Sequence, residues 1–374
     1  MEKKYPFYIR STVTLFGIML FVYLLFVVKS IMIPLAFALM ISILLNPLVN
    51  KLEQKKIPKI LSIIIALLLT ILAVAGVMFF ISSQMVKFSD NMPMLEKKFS
   101  ELFGSLQLWL QQNYSFAIAK QNQMLAEAGN SLKPLVAQTL GTVLGTFSIV
   151  FLLPVYIFLI LFYKKLILNF LYEVFSERNS KQVGDVLDQT KSAIQSYMIG
   201  LLLEAIIVAI LNSVALLILG VEYAILLGVI GAILNVLPYI GGIVAIALPI
   251  IIATITKDGF STQILILVAY MVIQFIDNNI LVPRIVSSKV KINALVSLVI
   301  ILLGGAVWGL SGMFLSIPFI AVLKIVFDRV DELKPWGKLL GDEIPMYHKG
   351  QLWSRRKRGK KSLSEKITSS TPPN

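Results

Sequence analysis

Five apolar runs of roughly membrane-spanning length dominate the hydrophobic pattern of the chain, and short polar segments separate them. A helix of about 20 apolar residues crosses the ~30 Å hydrocarbon core of a bilayer. Only Lys29 and Ser30 separate the first two runs, and Pro34 fits the first turn of the second helix. The pattern therefore predicts five membrane-spanning helices: Phe7–Val28, Ile31–Val49, Ile60–Ser82, Leu140–Phe162 and Ser196–Leu219.

Two longer apolar runs, Tyr223–Thr256 and Ala294–Phe327, are each 34 residues long. One straight helix of that length would measure roughly 50 Å, which exceeds the ~30 Å core by more than ordinary tilt absorbs. Helix-breaking residues lie near the middle of both runs, N-V-L-P-Y-I-G-G at Asn235–Gly242 and G-G-A-V-W-G-L-S-G at Gly304–Gly312. We expect both runs to be broken, either as helical hairpins or as discontinuous spans.

A further apolar run, Ile264–Val282, lies between these two long runs. The chain thus has about eight hydrophobic segments, two of them long and broken. These features predict an all-α polytopic membrane protein with an additional amphipathic insert.

Residues 83–138 interrupt the apolar pattern, because charged residues, Gln and Asn occur throughout them. Apolar residues recur there at helical spacing, at Leu95, Phe99, Leu102, Phe103, Leu106 and Leu110. This spacing predicts an amphipathic helix in an extramembrane insert.

The distribution of Lys and Arg predicts the orientation, since cytoplasmic loops carry an excess of both. Lys3, Lys4 and Arg10 place the N-terminus in the cytoplasm, and alternation then places residues 83–138 outside. The cations Arg284, Lys289 and Lys291 lie inside only if the first long run is a hairpin, so hairpins are preferred. Both alternatives leave the basic C-terminal tail in the cytoplasm.

Composition excludes several function classes. The 374 residues are 57% hydrophobic and 14% charged, with a formal net charge of +14. There is no cysteine and one histidine, His348 in the tail, so disulfides, Cys-ligated metals and His-rich zinc sites are excluded. The basic residues flank the spans, which favours contact with anionic membrane lipids over nucleic acid.

Gly309-Leu310-Ser311-Gly312 matches the G-x-S-G of intramembrane serine proteases, but the serine has no histidine base in the membrane segments. Glycines that bend a helix explain the motif better. We therefore expect no enzyme activity, catalytic residue, metal or cofactor.

Polar side chains inside the apolar segments are the candidate functional residues. A charged residue at the bilayer centre costs roughly 2.5–3.5 kcal/mol on insertion scales, so such residues usually face a cavity, a partner or a permeation path. The stretch Q-F-I-D-N-N holds Gln274, Asp277, Asn278 and Asn279, and Glu204 lies inside the fifth predicted span. Alternatively, Glu204 is a protonated packing residue, and Asp277 lies at the interface near Arg284.

Stretches from Ser196 to Trp336 carry a family resemblance. They are Y-M-I-G-L-L-L-E at 197–204, L-G-V-E-Y-A-I-L-L-G at 219–228, N-V-L-P-Y-I-G-G at 235–242, Q-F-I-D-N-N-I-L-V-P-R-I at 274–285, and L-L-G-G-A-V-W-G-L-S-G-M-F-L-S-I-P at 302–318. In this order they resemble the autoinducer-2 exporter family, also called PerM-like permeases. The sequence departs from the family at Gly242, where Pro is usual, and at Lys291–Ala294, where a G-x-x-P turn is usual.

The resemblance implies an oligomeric transporter of the bacterial inner membrane, and members of the family are also linked to sodium/proton exchange. In transporters with broken helices, unwound backbone and nearby polar side chains form the solute or ion site. Asn235, Pro238 and Gly241 at the break therefore join Gln274, Asp277, Asn278, Asn279 and Glu204 as candidate pathway residues. A buried carboxyl group such as that of Asp277 would couple transport to the proton gradient.

Three functions remain open: an exporter of a small polar metabolite or signal, a cation/proton antiporter, and a non-transporting oligomeric membrane scaffold. The expected organisation is membrane spans in residues 1–82, an external helical insert in 83–138, the fourth span and a cytoplasmic linker in 139–195, a transport core with broken helices in 196–336, and a basic cytoplasmic tail in 337–374.

Overall fold

The computed structural model describes residues 6–90, 92–114, 123, 147–174, 180–236, 240–257, 259–286 and 292–342. These ranges are almost entirely helical and contain no strand, which confirms the predicted all-α class. The helices are α1 (Phe7–Val27), α2 (Lys29–Gln54), α3 (Lys59–Asp90), α4 (Met92–Tyr114), α5 (Phe147–Phe162), α6 (Lys164–Val174), α7 (Ser180–Ile218), α8 (Ala224–Asn235), α9 (Ile240–Thr256), α10 (Ser261–Ile276) with its π-helical continuation Asp277–Val286, α11 (Ala294–Arg329) and α12 (Lys334–Leu340).

Six helices in the described ranges have the length and hydropathy of membrane spans, and α5 with α6 makes a seventh if the two are counted as one bent unit. This confirms a polytopic membrane protein. The first two predicted spans agree with α1 and α2 to within a few residues. The third and fifth predicted spans lie inside longer helices, because α3 continues to Asp90 and α7 begins at Ser180. Charged residues on a solvated face end an apolar run without ending its helix.

Helices α8 and α9 pack against each other as a helical hairpin, here called hairpin 1. A Cβ added at Gly231 of α8 would lie 3.3 Å from the Cβ of Ala245 in α9. Nearer the open end, Ala224 of α8 shares a buried core with Ile252 of α9. These pairs run in opposite directions along the chain, so the two arms are antiparallel. The 12-residue first arm of hairpin 1 is about 18 Å long, which is shorter than the ~30 Å hydrocarbon core of a bilayer.

Helix α11 also folds back on itself, at Gly309, and its arms 294–308 and 310–329 form hairpin 2. Gly309 has φ 61° and ψ −143°, a conformation that an L side chain rarely adopts. The Ser316 hydroxyl donates a hydrogen bond of 2.9 Å to the Ile300 carbonyl, although 16 residues separate them. In a straight helix these positions would lie roughly 24 Å apart. The preference for hairpins in both long runs is therefore supported by the observed geometry.

Three buried cores hold the bundle together. The first joins α2, α3 and α5, the second joins α2, α7 and hairpin 2, and the third joins the end of α7, hairpin 1 and α10. Helices α2 and α7 thus connect the N-terminal spans to the two hairpins. In the second core, the Trp308 indole donates a 2.9 Å hydrogen bond to the Leu25 carbonyl, which fixes the tip of hairpin 2 beside the junction of α1 and α2.

The described part of the predicted insert contains the end of α3, as far as Asp90, and helix α4, which contacts α9. The side chains at the six apolar positions from Leu95 to Leu110 lie outside the described residues, as does nearly all of 115–138. The amphipathic helix is present in its backbone, and the location of the insert outside the membrane stays a prediction.

Candidate functional site

The tip of hairpin 1 reaches the interior of the bundle where α7 and α10 meet. Gly241 packs directly against the Leu234 carbonyl, so that any Cβ at Gly241 would collide with it. This glycine allows the second arm to begin beside the last residues of the first. Pro238, a predicted site residue at the turn itself, lies outside the described residues.

Four polar side chains meet at this tip, all of them predicted from the sequence. The Asn235 amide donates a hydrogen bond of 2.9 Å to Asp277 Oδ2, and the Gln274 amide donates a longer one of 3.5 Å to the same oxygen. Glu204 of α7 is buried near Asp277, where α7 packs against the π-helical continuation of α10. We call Glu204, Asn235, Gln274 and Asp277 the carboxyl–amide cluster.

Asp277 lies at the point where α10 changes from α-helical to π-helical geometry. A π turn is wider than an α turn and often marks a functional site, because it redirects the side chains around it. Asp277 is 2% exposed and Glu204 is 6% exposed. Asp277 Oδ1 has no hydrogen-bond partner in the described part of the chain, so one carboxylate oxygen remains able to accept a hydrogen bond from a proton donor or a solute.

The backbone at the start of α9 forms one side of the cluster. A Cβ added at Gly242 would lie 3.2 Å from Gln274 Oε1 and 3.8 Å from Asn235 Oδ1. The resembled family usually has Pro at the position of Gly242. Because Gly242 has no side chain, the amides of Gln274 and Asn235 lie next to the backbone there. Gly241 and Gly242 therefore shape the site without contributing a functional group.

Asn278 and Asn279 are predicted site residues that the fold does not bring into the cluster. Both are exposed, and the Asn279 amide donates a 2.9 Å hydrogen bond to the Phe275 carbonyl of its own helix. Each helical position turns by about 100°, which directs them away from the Asp277 face. The contacts of the single chain therefore lend no support to their predicted pathway role.

The alternative of an interfacial Asp277 paired with Arg284 is not what the structure shows. The ion pairs among the described residues are Lys324–Asp328, Arg329–Asp185 and Lys334–Asp331, and none of them includes Asp277. Asp277 instead faces amides and a second carboxyl group in the interior.

Sequence reasoning missed two buried polar residues of α10, Gln263 and Tyr270. With Asp277 they occur every seven residues, so all three lie on the same buried face as Ile266 and Ile273. The seven-residue spacing was a signal available in the sequence. Single Tyr and Gln residues near the end of an apolar run are common, however, and they did not stand out.

The cluster has the chemistry to bind protons and hydrogen-bonding solutes. Its carboxyl groups accept hydrogen bonds or carry a proton, and its two amides both donate and accept. The described residues contain no group of three or more His, Cys, Asp or Glu that would hold a metal ion.

The fold and site together define an integral membrane protein with two helical hairpins and a buried polar site at the tip of one. The sequence profile of the AI-2E family transporter matches residues 14–332, which is most of the chain. The chain belongs to this family, and the function class that follows is membrane transport. Membership in a family of transporters also favours a non-enzymatic function.

Individual relatives agree with this assignment. "Putative transport protein YueF" of Bacillus subtilis is 26% identical over 68% of this chain and 70% of its own length. "Putative transport protein YrrI" of the same organism is 30% identical over 40% of this chain and 41% of its own length. "AI-2 transport protein TqsA" of Escherichia coli is 32% identical over 33% of this chain and 36% of its own length. The matches to YrrI and TqsA thus span less than half of either relative.

Proposed function

We propose that the chain is a secondary transporter that exports a small polar solute and couples this export to proton movement through the carboxyl–amide cluster. The observation that carries the proposal is the hydrogen bond from Asn235, at the tip of hairpin 1, to Asp277, which lies buried near Glu204 in the interior of the bundle. A fixed helix bundle gains little from buried carboxyl groups, whose transfer from water is unfavourable. A transport site gains a proton carrier and a hydrogen-bonding surface.

Hairpin 1 is the element of the site that would move during transport. Both arms are short and apolar, and they return to the same end of the bundle, so a shift of the tip requires no rearrangement of a full span. Asn235 would leave Asp277 in such a shift, and a solute hydroxyl would replace its amide. One hydrogen bond contributes about 1 kcal/mol to stability, so its exchange for a bond to the solute would change the free energy little.

The solute class follows from the groups present. Amide N–H donors and carboxyl oxygens match the hydroxyl groups of a polyol or small sugar-like molecule, and the cluster contains no cationic side chain to bind an anion. The relative TqsA is named for AI-2 transport, which is consistent with a small polar cargo. We propose export as the direction of solute transport because the sequence resembles an exporter family.

Cation/proton antiport is the second candidate, and one observation favours it. Two carboxyl groups and the oxygens of two amides lie together, and hard cations prefer such oxygen ligands. On this alternative, the unpartnered Asp277 Oδ1 would contact the cation. Sodium would then compete with protons for the pair, whereas a polyol would have no effect on sodium flux.

Flux into proteoliposomes tests the proposal. Purified wild-type protein is expected to move a polyol solute when a pH gradient is imposed, and Asp277→Asn is expected to abolish that movement while the protein stays folded. Asn279→Ala is the matched control, because Asn279 lies two residues away and is exposed. Well-folded Asp277→Asn protein with wild-type flux and pH dependence would exclude the coupling role, and unaltered behaviour after both acids are neutralised would favour a scaffold.

The location, orientation and assembly of the protein are also part of this proposal. We infer a multi-pass protein of the bacterial inner membrane, in contact with membrane lipids, with both termini in the cytoplasm and a homo-oligomeric assembly. The positive-inside distribution of Lys and Arg supports the orientation. The many exposed large apolar side chains of α1 support a lipid or protein environment for that helix.

A further inference from the structure

Buried polar atoms without partners are concentrated on two facing helices. The described residues contain five such side-chain atoms: Thr190 Oγ1, Asn212 Oδ1, Gln263 Oε1, Tyr270 OH and Asp277 Oδ1. All five belong to α7 or to α10 and its continuation. Buried polar groups are paired in the large majority of cases, so a concentration of unpaired ones calls for a functional explanation.

Three of these atoms lie at successive levels between the carboxyl–amide cluster and one end of the bundle. Helices α7 and α10 are antiparallel, since Glu204 meets Asp277 at one level and Leu216 shares a core with Ile266 at another. Asn212 is about 12 Å along α7 from Glu204, and Tyr270 is roughly 10 Å along α10 from Asp277. Gln263 lies one further step of roughly 10 Å toward the end where α10 begins.

The fold brings the middle level together around hairpin 1. A Cβ added at Gly231 would lie 3.4 Å from Asn212 Nδ2 and 3.3 Å from Ala245 Cβ, and Ala245 shares its core with Tyr270. Asn212 therefore lies against hairpin 1 at Gly231, and Tyr270 belongs to the core of which the facing Ala245 is a member. At the far level, the Gln263 amide donates a 3.5 Å hydrogen bond to Thr254, and its Oε1 has no partner in the described ranges.

We propose that Asn212, Tyr270 and Gln263 form a polar lane that carries protons between the carboxyl–amide cluster and the end of the bundle where α7 ends and α10 begins. The inference rests on the proposed function and adds the route of the proton. Each gap of roughly 10 Å is bridged by two or three waters at hydrogen-bonding distance. A proton moves along such a chain as each water accepts one proton and passes another on, so the number of protons in the lane is unchanged.

The surroundings of the polar lane explain why it would admit protons and exclude the solute. Tyr270 lies in a core with Ile252, Ala253 and Ile266, all buried. The few polar atoms in this apolar core would hold a single file of water at most, and a polyol is too wide to follow such a file. The tyrosine hydroxyl both accepts and donates, so it can relay a proton, whereas the Asn212 and Gln263 carbonyl oxygens orient the neighbouring water.

The first test measures how fast protons reach the cluster along the polar lane, and it does not require solute transport. Hydrogen–deuterium exchange of the carboxyl C=O stretching band is followed by infrared spectroscopy of protein in liposomes, at a pH low enough for the band to be present. Loss of this band in Asp277→Asn and Glu204→Gln assigns it to these two carboxyl groups. Tyr270→Phe and Asn212→Leu are expected to slow exchange about tenfold, the factor that ~1.4 kcal/mol on a barrier gives.

Tyr156→Phe is the matched control, because Tyr156 of α5 packs on the separate core of α2, α3 and α5. It loses the same hydroxyl and is expected to exchange at the wild-type rate. Equal exchange in all variants, or equal slowing in Tyr156→Phe and Tyr270→Phe, would overturn the polar lane.

The second test separates the lane from the solute site. Solute exchange at equal pH on both sides should be unchanged in Tyr270→Phe, while flux driven by a pH gradient falls. A loss of both by the same factor would overturn a specific proton route. If the wild-type protein moves no solute at all, the proposed function fails, and the exchange measurement still decides whether protons reach the pair through Tyr270.

Discussion

The Asn235 amide donates its 2.9 Å hydrogen bond to Asp277 across 42 residues of sequence, and this bond joins the tip of hairpin 1 to the junction of α10 with its π-helical continuation. Through this bond, the position of hairpin 1 depends on whether Asp277 is protonated. An amide donor binds a carboxylate more strongly than a protonated carboxyl group, because hydrogen bonds to an ionised acceptor are shorter and stronger. Protonation of the pair would therefore loosen the tip.

Removal of this bond is the first prediction. Asn235→Ala leaves Asp277 with only the long bond from Gln274, and an unsatisfied buried partner costs about 1–3 kcal/mol. We expect a lower unfolding temperature for the detergent-solubilised protein and slower solute flux. Asn279→Ala should change neither, because its amide bonds only to its own helix. An Asn235→Ala protein that matches wild type in both measurements would show that the bond has no role.

The second prediction concerns the close approach at the tip. Gly241→Ala should prevent the first turn of α9 from packing against the Leu234 carbonyl, so hairpin 1 would open or the protein would fold poorly. Gly76→Ala in α3 is the control, since an added Cβ there has nothing within 4 Å. The folded yield after purification and the thermal unfolding temperature are measured for both variants. Equal yields and unfolding temperatures for the two variants would contradict the observed packing.

Hairpin 2 gives a third prediction through cross-linking, for which the chain has no background thiol. Ile300→Cys with Ser316→Cys should be joined by a short bifunctional thiol cross-linker, because the Ser316 hydroxyl bonds to the Ile300 carbonyl and so brings the two arms together. Leu295→Cys with Ser311→Cys has the same spacing of 16 residues but joins positions that do not face each other across the turn at Gly309. Cross-linking of both pairs, or of neither, would contradict the hairpin.

Orientation gives the fourth prediction. Single cysteines at Ser287 and Ser288 should react with a membrane-impermeant thiol reagent only after the cells are permeabilised, because hairpin 1 returns the chain to its side of entry. A cysteine at Asn113 in α4 should react in intact cells. Reaction of Ser287→Cys from outside, together with protection of Asn113→Cys, would reverse the orientation that the lysines and arginines predict.

The sequence predicted the spans and the members of the site better than it predicted their contacts. Hydropathy located α1 and α2, and the Pro and Gly breaks located both hairpin turns, because these signals are local. Polar residues in apolar runs identified Glu204 and Asp277 individually. Their contact depends on the packing of α7 against the continuation of α10, which no local pattern encodes. Asn278 and Asn279 lie outside the carboxyl–amide cluster because residues that are neighbours in sequence face different directions on a helix.

The final prediction treats Glu204 and Asp277 as one functional unit. The two carboxyl groups lie side by side, and both are buried in the described fold. Groups that interact this closely exchange protons as a pair, so the loss of either member should disable the whole pair. We expect Glu204→Gln to reduce pH-driven flux at least about tenfold, as Asp277→Asn does, which corresponds to ~1.4 kcal/mol on the barrier.

The double variant distinguishes a unit from two separate sites. Residues that act together show strong non-additivity, so Glu204→Gln with Asp277→Asn should be no slower than the slower single variant. Independent sites would instead multiply their losses. Both single variants should unfold near the wild-type temperature, because each substitution keeps the shape of the side chain and removes only a buried acid. If Glu204→Gln keeps full pH-driven flux while Asp277→Asn loses it, Glu204 is a packing residue and Asp277 carries the proton alone.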